Sequence, residues 1–352
     1  MRRVVVTGIG TINSTGHNVK DSFKAVVDGV CGIDTITLFD ASEFSVKIAG
    51  EVKDFDPTTV MDKKEVKKAD RFIQLGIKAA LEAMIDSGYV TQEDKKVDAS
   101  IADRFGMISG SGIGGLSTIE RNSIVCETKG SRKVSPFFIP SSLANMLSGF
   151  ISIEHNLRGP SLSHVTACAA STHALNDAVK TIMIGGADRI LVVGAESAIC
   201  AAGVAGFAAM KALSTRNDEP KKSSRPFDID RDGFVMGEGA GALVVEDLEI
   251  ALARGAKIYA EIIGFGESGD ANHITSPVMD GPLRAMKAAL EMVKSITGEY
   301  PKIDYINAHG TSTPVGDKNE TAAIKALFDG GDIPLVSSTK GQIGHCLGAA
   351  GA

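Results

Sequence analysis

Short apolar runs alternate with amphipathic segments along this chain. Runs of about four to eight aliphatic or β-branched residues, bounded by turn residues, are typical of buried strands. Eight such runs lie at residues 3–7, 105–109, 162–166, 190–193, 242–245, 258–263, 305–308 and 335–337. Between them, apolar residues recur at the spacing of one helical face. Examples are Leu175, Ala178, Val179 and Ile182 and, further on, Leu283, Met286, Leu290 and Val293. The alternation predicts an α/β fold with a largely buried sheet.

Two segments far apart in the chain resemble each other. Residues 1–10 pass from charged residues through a β-branched strand into Gly-Ile-Gly, and residues 256–266 pass through a strand into Gly-Phe-Gly. Later in each part, a predicted strand ends in a turn that carries a reactive side chain, Cys168 or His309. Because self-similarity is the signature of a repeated unit, we predict two related halves, residues 1–250 and 251–352.

Composition and charge exclude several classes of protein. Hydrophobic residues make up 43% of the 352 residues, and 37 basic against 43 acidic side chains give a formal charge of −6. We therefore expect no nucleic-acid binding driven by net charge, and the absence of Trp argues against a stacking surface for bases. The longest apolar stretch, residues 198–210, is shorter than the roughly 20 residues of a membrane span. We expect a soluble, cytoplasmic protein.

Cys168 is the first candidate for chemistry. The five cysteines are scattered and form no CxxC pair, which argues against a disulfide framework. Small residues surround Cys168 between a predicted strand and a predicted helix. A thiol at a helix start is expected to have a lowered pKa and to act as a nucleophile. The alternative is a small buried hydrophobe, which is our interpretation of the other four cysteines.

Two histidines follow predicted strands in glycine-rich segments. His309 comes after the strand at residues 305–308, and His345 comes after the strand at residues 335–337. Strand exits are where open-sheet enzymes collect catalytic groups, so both are candidate catalytic residues. A zinc site formed by Cys168 and the two histidines is the alternative, although no local pair of ligands anchors it.

Three further patterns have simpler interpretations. Residues 110–115 match G-x-G-x-x-G, but they lie far from the first strand, so we predict a pocket loop and not a dinucleotide site. Asp317 and Glu320 have the spacing of a helix-start capping pair. One helical face is expected to be basic, either as a solvated surface or as a docking patch for an acidic partner. Its members are Lys64, Lys67, Lys68 and Arg71.

Several segments together resemble the β-ketoacyl-[acyl-carrier-protein] synthases of the thiolase-like superfamily. They are similar above all to the synthase II class, the elongating condensing enzymes of bacterial type II fatty acid synthesis. The motif at residues 166–171 contains Cys168, the motif at 307–317 contains His309, and the motif at 338–351 contains Lys340 and His345. Residues 213–217, 226–228 and 231–234 also match. The resemblance covers essentially the whole chain.

The resemblance implies a five-layered αβαβα fold of two related halves, and a homodimer. It implies that Cys168 takes an acyl chain from a carrier-protein thioester, and that the carbanion from decarboxylated malonyl-carrier attacks it, adding two carbons. His309 and His345 would stabilise the enolate and assist decarboxylation, while Lys340 would support the His345 loop electrostatically. No metal or cofactor of its own is implied, because the phosphopantetheine is carried by the acyl carrier protein.

The resemblance also assigns binding residues. Thr311 and Thr313 correspond to pantetheine contacts, and Ile113 and Phe207 correspond to the acyl pocket. The implied docking surface for the acidic acyl carrier protein comprises Lys64, Lys67, Lys68, Arg132, Lys133 and Lys211.

The end of the chain departs from the family pattern. Family members continue past the Gly-Ala run at residues 348–352 into further strands and a Gly-Phe-Gly-Gly gating loop, which implies a missing C-terminal part. Three alternatives stay open: a polyketide ketosynthase of the same family, a non-catalytic chain-length partner, and an inactive truncated form.

Overall fold

The protein is described by a computed structural model over residues 1–273, 277–329 and 331–352. In this part of the chain the strands are β1 (Val4–Asn13), β2 (Asp34–Thr35), β3 (Ile48–Ala49), β4 (Phe105–Gly110), β5 (Ser161–His164), β6 (Arg189–Glu196), β7 (Gly239–Asp247), β8 (Ala260–Ile262), β9 (Tyr305–Asn307) and β10 (Leu335–Ser337). The α-helices are α1 (Val19–Val27), α2 (Lys63–Val66), α3 (Arg71–Asp86), α4 (Ala99–Ala102), α5 (Leu116–Lys129), α6 (Phe138–Ser142), α7 (Met146–His155), α8 (Ala170–Met183), α9 (Ala201–Ala209), α10 (Leu248–Ala253), α11 (Asp280–Thr297), α12 (Pro314–Leu327) and α13 (Lys340–Ile343). None of the described helices combines the length and the apolar character needed to cross a membrane.

A six-stranded mixed sheet organises the larger part of the fold. Its strand order is β5-β4-β6-β7-β1-β8. Strand β4 runs parallel to β5 and β6, whereas β7 runs antiparallel to β6 and β1. Each of the eight predicted strands overlaps an observed one, which confirms the α/β prediction. Strand β8, from the predicted second half, pairs with β1 and forms one edge of this sheet, with Val4 opposite Ile262.

Helices cover both faces of the sheet. Side chains of a strand point alternately to the two faces, and β6 uses this alternation to join two cores. Ile190 and Val192 pack in the core that contains α8. Leu191, Val193 and Ala195 pack in the larger core on the other face, built around α3. A strand buried on both sides reads as a continuous apolar run, which is why it was recognisable from the sequence.

The same close approach between a strand and a helix occurs twice. A Cβ at Gly10, within β1, would lie 2.1 Å from the carbonyl oxygen of Ala79 in α3. A Cβ at Gly266, which follows β8, would lie 2.0 Å from the carbonyl oxygen of Ala285 in α11. Two residues before each of these glycines lies another, Gly8 or Gly264, which approaches the next turn of the same helix. This repeated packing explains why the two glycine-ended segments have similar sequences.

The smaller sheets have two strands each in the described part of the chain. Strands β9 and β10 pair in parallel, with Tyr305 opposite Leu335, and β2 pairs with β3 in antiparallel orientation. The parallel pairing brings the segments after β9 and β10, which carry His309 and Lys340, to the same end of the small sheet. The boundary between two halves at residue 250 stays a prediction.

We predict that Gly10→Ala and Gly266→Ala each lower the free energy of unfolding by about 1–3 kcal/mol, because the added methyl group would overlap a helix carbonyl. Urea unfolding followed by circular dichroism measures this change. Gly206→Ala in α9 is the matched control, because a Cβ there meets no described atom within 4 Å and alanine favours a helix over glycine. Wild-type stability in Gly10→Ala would contradict the close packing.

Candidate active site

Cys168 lies in a sharp turn between a strand and a helix, as predicted. The turn is a single 3-10 segment, Ala167–Ala169, between β5 and α8. Ala167 has a φ of 50°, in the left-handed region, where a small side chain is tolerated best. The start of α8 also packs closely on β4, because a Cβ at Gly110 would lie 2.5 Å from the backbone of Ala170. Small residues on both sides therefore allow the turn that presents the thiol.

His345 is fixed through its backbone and contacts the thiol with its ring. Its N–H donates to the carbonyl of Val235 at 2.7 Å, and its own carbonyl accepts from the N–H of Gly237 at 2.9 Å. These bonds attach the segment after α13 to the chain that leads into β7. The ring is buried, and its Nε2 lies 3.0 Å from Sγ of Cys168. The edge of the ring packs on Phe234, with ring centroids 5.4 Å apart.

His309 completes a cluster of three reactive side chains. Its ring lies 5.3 Å from the ring of His345 and nearly perpendicular to it. One ligand atom each from Cys168, His309 and His345 lie within 4.8 Å of one another. The structure therefore brings together the three residues that the sequence placed at three separate strand exits.

Two carboxylates shape the His309 loop, so the interpretation of Asp317 and Glu320 as a capping pair is wrong. Glu320 accepts the backbone N–H groups of His309 and Gly310, at 2.6 and 2.7 Å. Asp317, which is buried, accepts the backbone N–H groups of Thr311 and Ser312, at 3.1 and 3.2 Å. Helix α12 begins at Pro314, and no described side chain caps it. The carboxylates instead satisfy backbone N–H groups of the loop, and those of Thr311 and Ser312 are buried and would otherwise cost free energy.

The cluster opens into a pocket of about 260 Å³ with mainly apolar walls. Ile113 and Phe207 line it, as does Thr311. Thr313 lies next to this wall, because its hydroxyl oxygen is 3.1 Å from that of Thr311. The glycine-rich loop at residues 110–115 contributes to the same pocket, which confirms its interpretation as a pocket loop. The lining residues are Gly112, Ile113, Ala167, Cys168, Phe207, Phe234, His309, Thr311, His345 and Leu347.

Burial controls the protonation of the cluster. It raises the pKa of the Cys168 thiol, although the nearby Lys340 ammonium acts in the opposite direction. The lowered thiol pKa expected at a helix start is therefore wrong, because loss of water outweighs the favourable neighbours. Partial loss of water, together with Lys340, lowers the pKa of His309 to about 4. Burial lowers the pKa of His345 well below its usual value, so both imidazoles are neutral at pH 7.

Lys340 lies beside the cluster, at the start of α13. Its side chain is buried, and burial lowers its pKa, whereas the carboxylate of Glu320 acts to raise it. Its backbone carbonyl accepts the hydroxyl of Ser224 at 2.7 Å, which anchors α13. Lys340 is thus a positive charge held near the thiol and both imidazoles.

A zinc site was the alternative for the three reactive residues. Two ligands of one tetrahedral zinc ion, with bond lengths of about 2.3 Å to sulfur and 2.1 Å to nitrogen, lie about 3.6 Å apart. Sγ of Cys168 and Nε2 of His345 are 3.0 Å apart, which is a hydrogen-bond distance. The geometry favours a thiol–imidazole pair, and the absence of a metal stays a prediction.

The basic face predicted for residues 64–71 is interrupted. Helix α2 ends at Val66 and α3 begins at Arg71, because Asp70 caps α3 by accepting the N–H of Phe72 at 3.2 Å. Arg71 turns inward and pairs with the buried carboxylate of Glu238 at 2.7 Å. Arg71 therefore does not belong to a continuous basic helical stripe.

The other basic candidates lie mainly in two neighbouring segments. Lys67 and Lys133 line one surface pocket of about 510 Å³, together with Arg121, which the sequence did not single out. Lys68 pairs with Glu65 at 2.5 Å. Lys64, Lys67, Arg132, Lys133 and Lys211 are exposed. Lys211 lies apart from the two segments in sequence, just after α9, with a φ of 55°.

The sequence matches one protein family over nearly its whole length. Residues 1–251 match the family described as beta-ketoacyl synthase, N-terminal domain, and residues 259–352 match beta-ketoacyl synthase, C-terminal domain. The chain belongs to the β-ketoacyl synthase family. Its fold is therefore the thiolase-like ketosynthase fold around a mixed sheet, which confirms the resemblance on which the sequence interpretation rested.

Individual β-ketoacyl synthases are similar to this chain from end to end. The 3-oxoacyl-[acyl-carrier-protein] synthase 2 of Vibrio harveyi is 50% identical over 355 residues, which cover 100% of this chain and 83% of that protein. The crystal structure of a beta-ketoacyl synthase from Burkholderia phymatum is 33% identical with a TM-score of 0.89, covering 100% of this chain and 84% of that one. One chain in the solved structure of a type II PKS acyl-carrier protein in complex with its ketosynthase bound to the hexaketide is 28% identical with a TM-score of 0.84, covering 99% of this chain and 83% of that one. The expected missing C-terminal part stays a prediction.

We predict that the free energy of unfolding of this synthase falls as the pH is lowered from about 6.5 towards 4. The unfolded chain binds protons on its histidines near pH 6.5, whereas folded His309 stays neutral down to a pKa of about 4. His309→Gln removes one such group, so its stability should depend less steeply on pH in this range. Urea unfolding at several pH values tests this, and equal slopes for both proteins would contradict it.

Proposed function

We propose that this chain catalyses the decarboxylative condensation of malonyl-acyl carrier protein with an acyl chain held on Cys168, an acyltransferase reaction that elongates fatty acids by two carbons. The observation that carries the proposal is the 3.0 Å contact between Sγ of Cys168 and Nε2 of His345 in a pocket that His309 shares. The Vibrio harveyi protein that is 50% identical to this chain is a 3-oxoacyl-[acyl-carrier-protein] synthase 2.

In the first step Cys168 takes the acyl chain. Its sulfur attacks the carbonyl carbon of the acyl thioester, a carbon–sulfur bond forms, and the carrier's pantetheine sulfur leaves. The thiol proton passes through Nε2 of His345, which lies within hydrogen-bonding distance, to the leaving sulfur. A thiol with a raised pKa needs such a neutral base next to it. The apolar wall formed by Ile113 and Phe207 receives the acyl chain.

In the second step the malonyl group loses carbon dioxide. The electron pair of the broken carbon–carbon bond remains on the carbon next to the thioester, so no protein base has to remove a proton. His309 donates an N–H hydrogen bond to the enolate oxygen, and His345 does so from Nε2 in the tautomer that carries its proton there, which it adopts once the thiol is acylated and no base is needed. Neutral imidazoles serve for this because they need not transfer a proton. The carbanion then attacks the acyl-cysteine carbonyl. The new carbon–carbon bond displaces the Cys168 sulfur as a thiolate, which takes up one proton from solvent, because its first proton left with the carrier's thiol.

Three further groups have supporting roles. The hydroxyl groups of Thr311 and Thr313, 3.1 Å apart, bind the pantetheine arm near the pocket. Loss of water keeps the two imidazoles neutral, and the positive charge of Lys340 supports this because it also acts to lower both of their pKa values. No metal and no cofactor of the protein's own takes part in this scheme, since the pantetheine arrives on the carrier protein.

The carrier protein docks on six basic residues, five of which are exposed. Lys64, Lys67, Lys68, Arg132, Lys133 and Lys211 provide positive charge, and Lys67 and Lys133 share one surface pocket. Electrostatic complementarity of this kind steers an acidic partner into place. A carrier protein in complex with its ketosynthase is among the similar solved structures.

We place the protein in the cytoplasm as a homodimer with the five-layered arrangement of two related halves. Strand β5 is an edge strand, and Leu162 and Val165 beside it are 47% and 56% exposed. An uncovered edge with apolar side chains favours pairing with another strand, and the same edge of a second copy would cover it. The repeated approach of Gly10 and Gly266 to their helices supports the relation between the halves.

Among the alternatives, a polyketide ketosynthase would use the same residues on a different carrier. The hexaketide-bound ketosynthase among the similar structures is 28% identical, against 50% for the Vibrio harveyi synthase 2, so we favour fatty acid elongation. A chain-length partner would lack the nucleophile, and this chain has both Cys168 and the two histidines beside it.

We predict that Cys168→Ser abolishes acyl transfer from acyl carrier protein, because the hydroxyl is a far weaker nucleophile than the thiol. Intact-protein mass spectrometry after incubation with acyl carrier protein measures the covalent adduct. Cys126→Ser is the matched control, because that thiol is exposed on α5 and lies outside the pocket. If Cys168→Ser carried as much acyl adduct as the wild type, Cys168 would not be the nucleophile. A wild-type protein without an acyl adduct would favour the inactive truncated form.

We predict that Lys67→Glu and Lys133→Glu each raise the KM for acyl carrier protein about tenfold or more at low salt while kcat changes little. Each substitution replaces an attraction by a repulsion at the docking surface, and salt screens this effect. Steady-state kinetics at two ionic strengths measures it. Activity with a short acyl-pantetheine thioester is the control, since it needs no docking. A loss of activity shared by both substrates would argue against a docking role.

A further inference from the structure

Glu196 is a buried carboxylate next to the pocket that no step described above uses. Glu196 is the last residue of β6 and is fully buried. No Lys or Arg of the described residues forms an ion pair with it. Burial raises its pKa, and four hydrogen bonds from neutral donors oppose this rise. A carboxylate is costly to bury, so its place here calls for a reason.

Three of the four donors belong to the glycine-rich pocket loop. The backbone N–H groups of Gly112 and Ile113 donate to the Glu196 carboxylate at 2.5 and 3.2 Å. The hydroxyl of Ser111 donates to it at 3.1 Å. Gly112 and Ile113 both line the pocket that contains Cys168. The carboxylate thus determines where this wall of the pocket lies.

The fourth donor comes from the opposite part of the chain. The backbone N–H of Gly348 donates to Glu196 at 3.1 Å. The preceding residue, Leu347, lines the same pocket. A Cβ at Gly348 would lie 2.0 Å from the backbone nitrogen of Gly112. The two backbones therefore meet at the carboxylate, with no space for a side chain between them.

We propose that Glu196 is a positioning residue for the condensation site, whose carboxylate holds the loop at residues 111–113 against the turn at residues 347–348 and so fixes the pocket wall beside Cys168. The inference rests on the proposed function. Only an ionised carboxylate offers acceptors on both oxygens to four donors. An amide in its place would turn its own NH₂ group towards N–H donors, so it would lose its hydrogen bonds either to the loop at residues 111–113 or to the turn at residues 347–348.

The charge of Glu196 has a second effect, on the nucleophile. Burial is the main cause of the raised pKa of the Cys168 thiol, and the carboxylate of Glu196 acts in the same direction, because a negative charge disfavours a second one nearby. Removing the charge should therefore let the thiol ionise at lower pH. A residue that only stabilises the fold would leave the ionisation of Cys168 unchanged, so this measurement separates the two roles.

The test compares Glu196→Gln with Glu246→Gln. Glu246 is also a fully buried carboxylate, but it lies on β7 opposite Arg189, at the other end of β6 from Glu196. For Glu196→Gln we expect kcat/KM for condensation to fall about 10–100-fold, the loss that removal of an orienting hydrogen-bond partner causes at metal sites. We also expect a changed ratio of activity between long and short acyl substrates. For Glu246→Gln we expect lower thermal stability with kcat/KM and the substrate ratio unchanged.

Alkylation of Cys168 by iodoacetamide across a range of pH gives the second measurement, in a Cys126→Ser background that removes an exposed thiol. We expect the Glu196→Gln profile to shift to lower pH and the Glu246→Gln profile to match the parent. If Glu196→Gln loses only stability, with the substrate ratio and the alkylation profile of the parent, the inference is overturned. A wild-type protein without condensation activity would overturn the proposed function instead.

A milder variant covers the case in which Glu196→Gln does not fold. Ser111→Ala removes one of the four donors and leaves the carboxylate and its three backbone partners in place. We expect a smaller fall in kcat/KM and a change of the acyl-substrate ratio in the same direction. A Ser111→Ala protein with the wild-type ratio would count against the positioning role.

Discussion

The contact between the thiol of Cys168 and the imidazole of His345 is the constraint on which the rest of the site depends. The two residues are 177 positions apart, yet Sγ and Nε2 lie 3.0 Å from each other. Such a distance exists only if both backbones are held independently, and each is. Cys168 follows the left-handed turn at Ala167, whereas His345 is bonded through its backbone to Val235 and Gly237. The glycines of the pocket follow from this requirement, because two loops that converge on one sulfur leave no volume for side chains.

The same convergence removes water, and the loss of water determines the charges. A separated thiolate and imidazolium would require two ions in a pocket with mainly apolar walls, which desolvation opposes. Burial instead raises the pKa of Cys168 and lowers that of His345, while partial loss of water together with Lys340 lowers that of the more exposed His309. The resting site is a neutral thiol between neutral imidazoles, with Lys340 as the nearby positive charge. This state suits a reaction in which negative charge appears only as the malonyl group decarboxylates, because the imidazoles that then donate hydrogen bonds are already positioned.

Local patterns predicted much of this structure, and the failures have one physical cause. The apolar runs of β4 and β6, the small residues around Cys168, and the glycines beside His309 and His345 report on their own surroundings. The thiol pKa of Cys168 and the roles of Asp317 and Glu320 depend on residues distant in sequence or on backbone N–H groups. Backbone donors leave no trace in the sequence, so a carboxylate that binds them resembles a helix cap or, as with Glu196, an ordinary strand end. The prediction of one basic helical face from Lys64 to Arg71 was wrong, because the spacing of these residues does not reveal that Asp70 caps the start of a new helix.

The origin of the pocket residues shows why its parts cannot act separately. Cys168 stands at the exit of β5 in the six-stranded sheet, while His309 stands at the exit of β9 in the small one. Each exit is held by its own set of hydrogen bonds, and neither contains a complete set of reactive groups. Two further segments of the pocket meet at the carboxylate of Glu196, because it accepts the backbone N–H groups of Gly112, which follows β4, and of Gly348, which lies three residues after His345. A displacement of either segment would therefore alter the distance between sulfur and imidazole even where every catalytic side chain is present, so the precision of this site is a property of its loops as much as of its reactive residues.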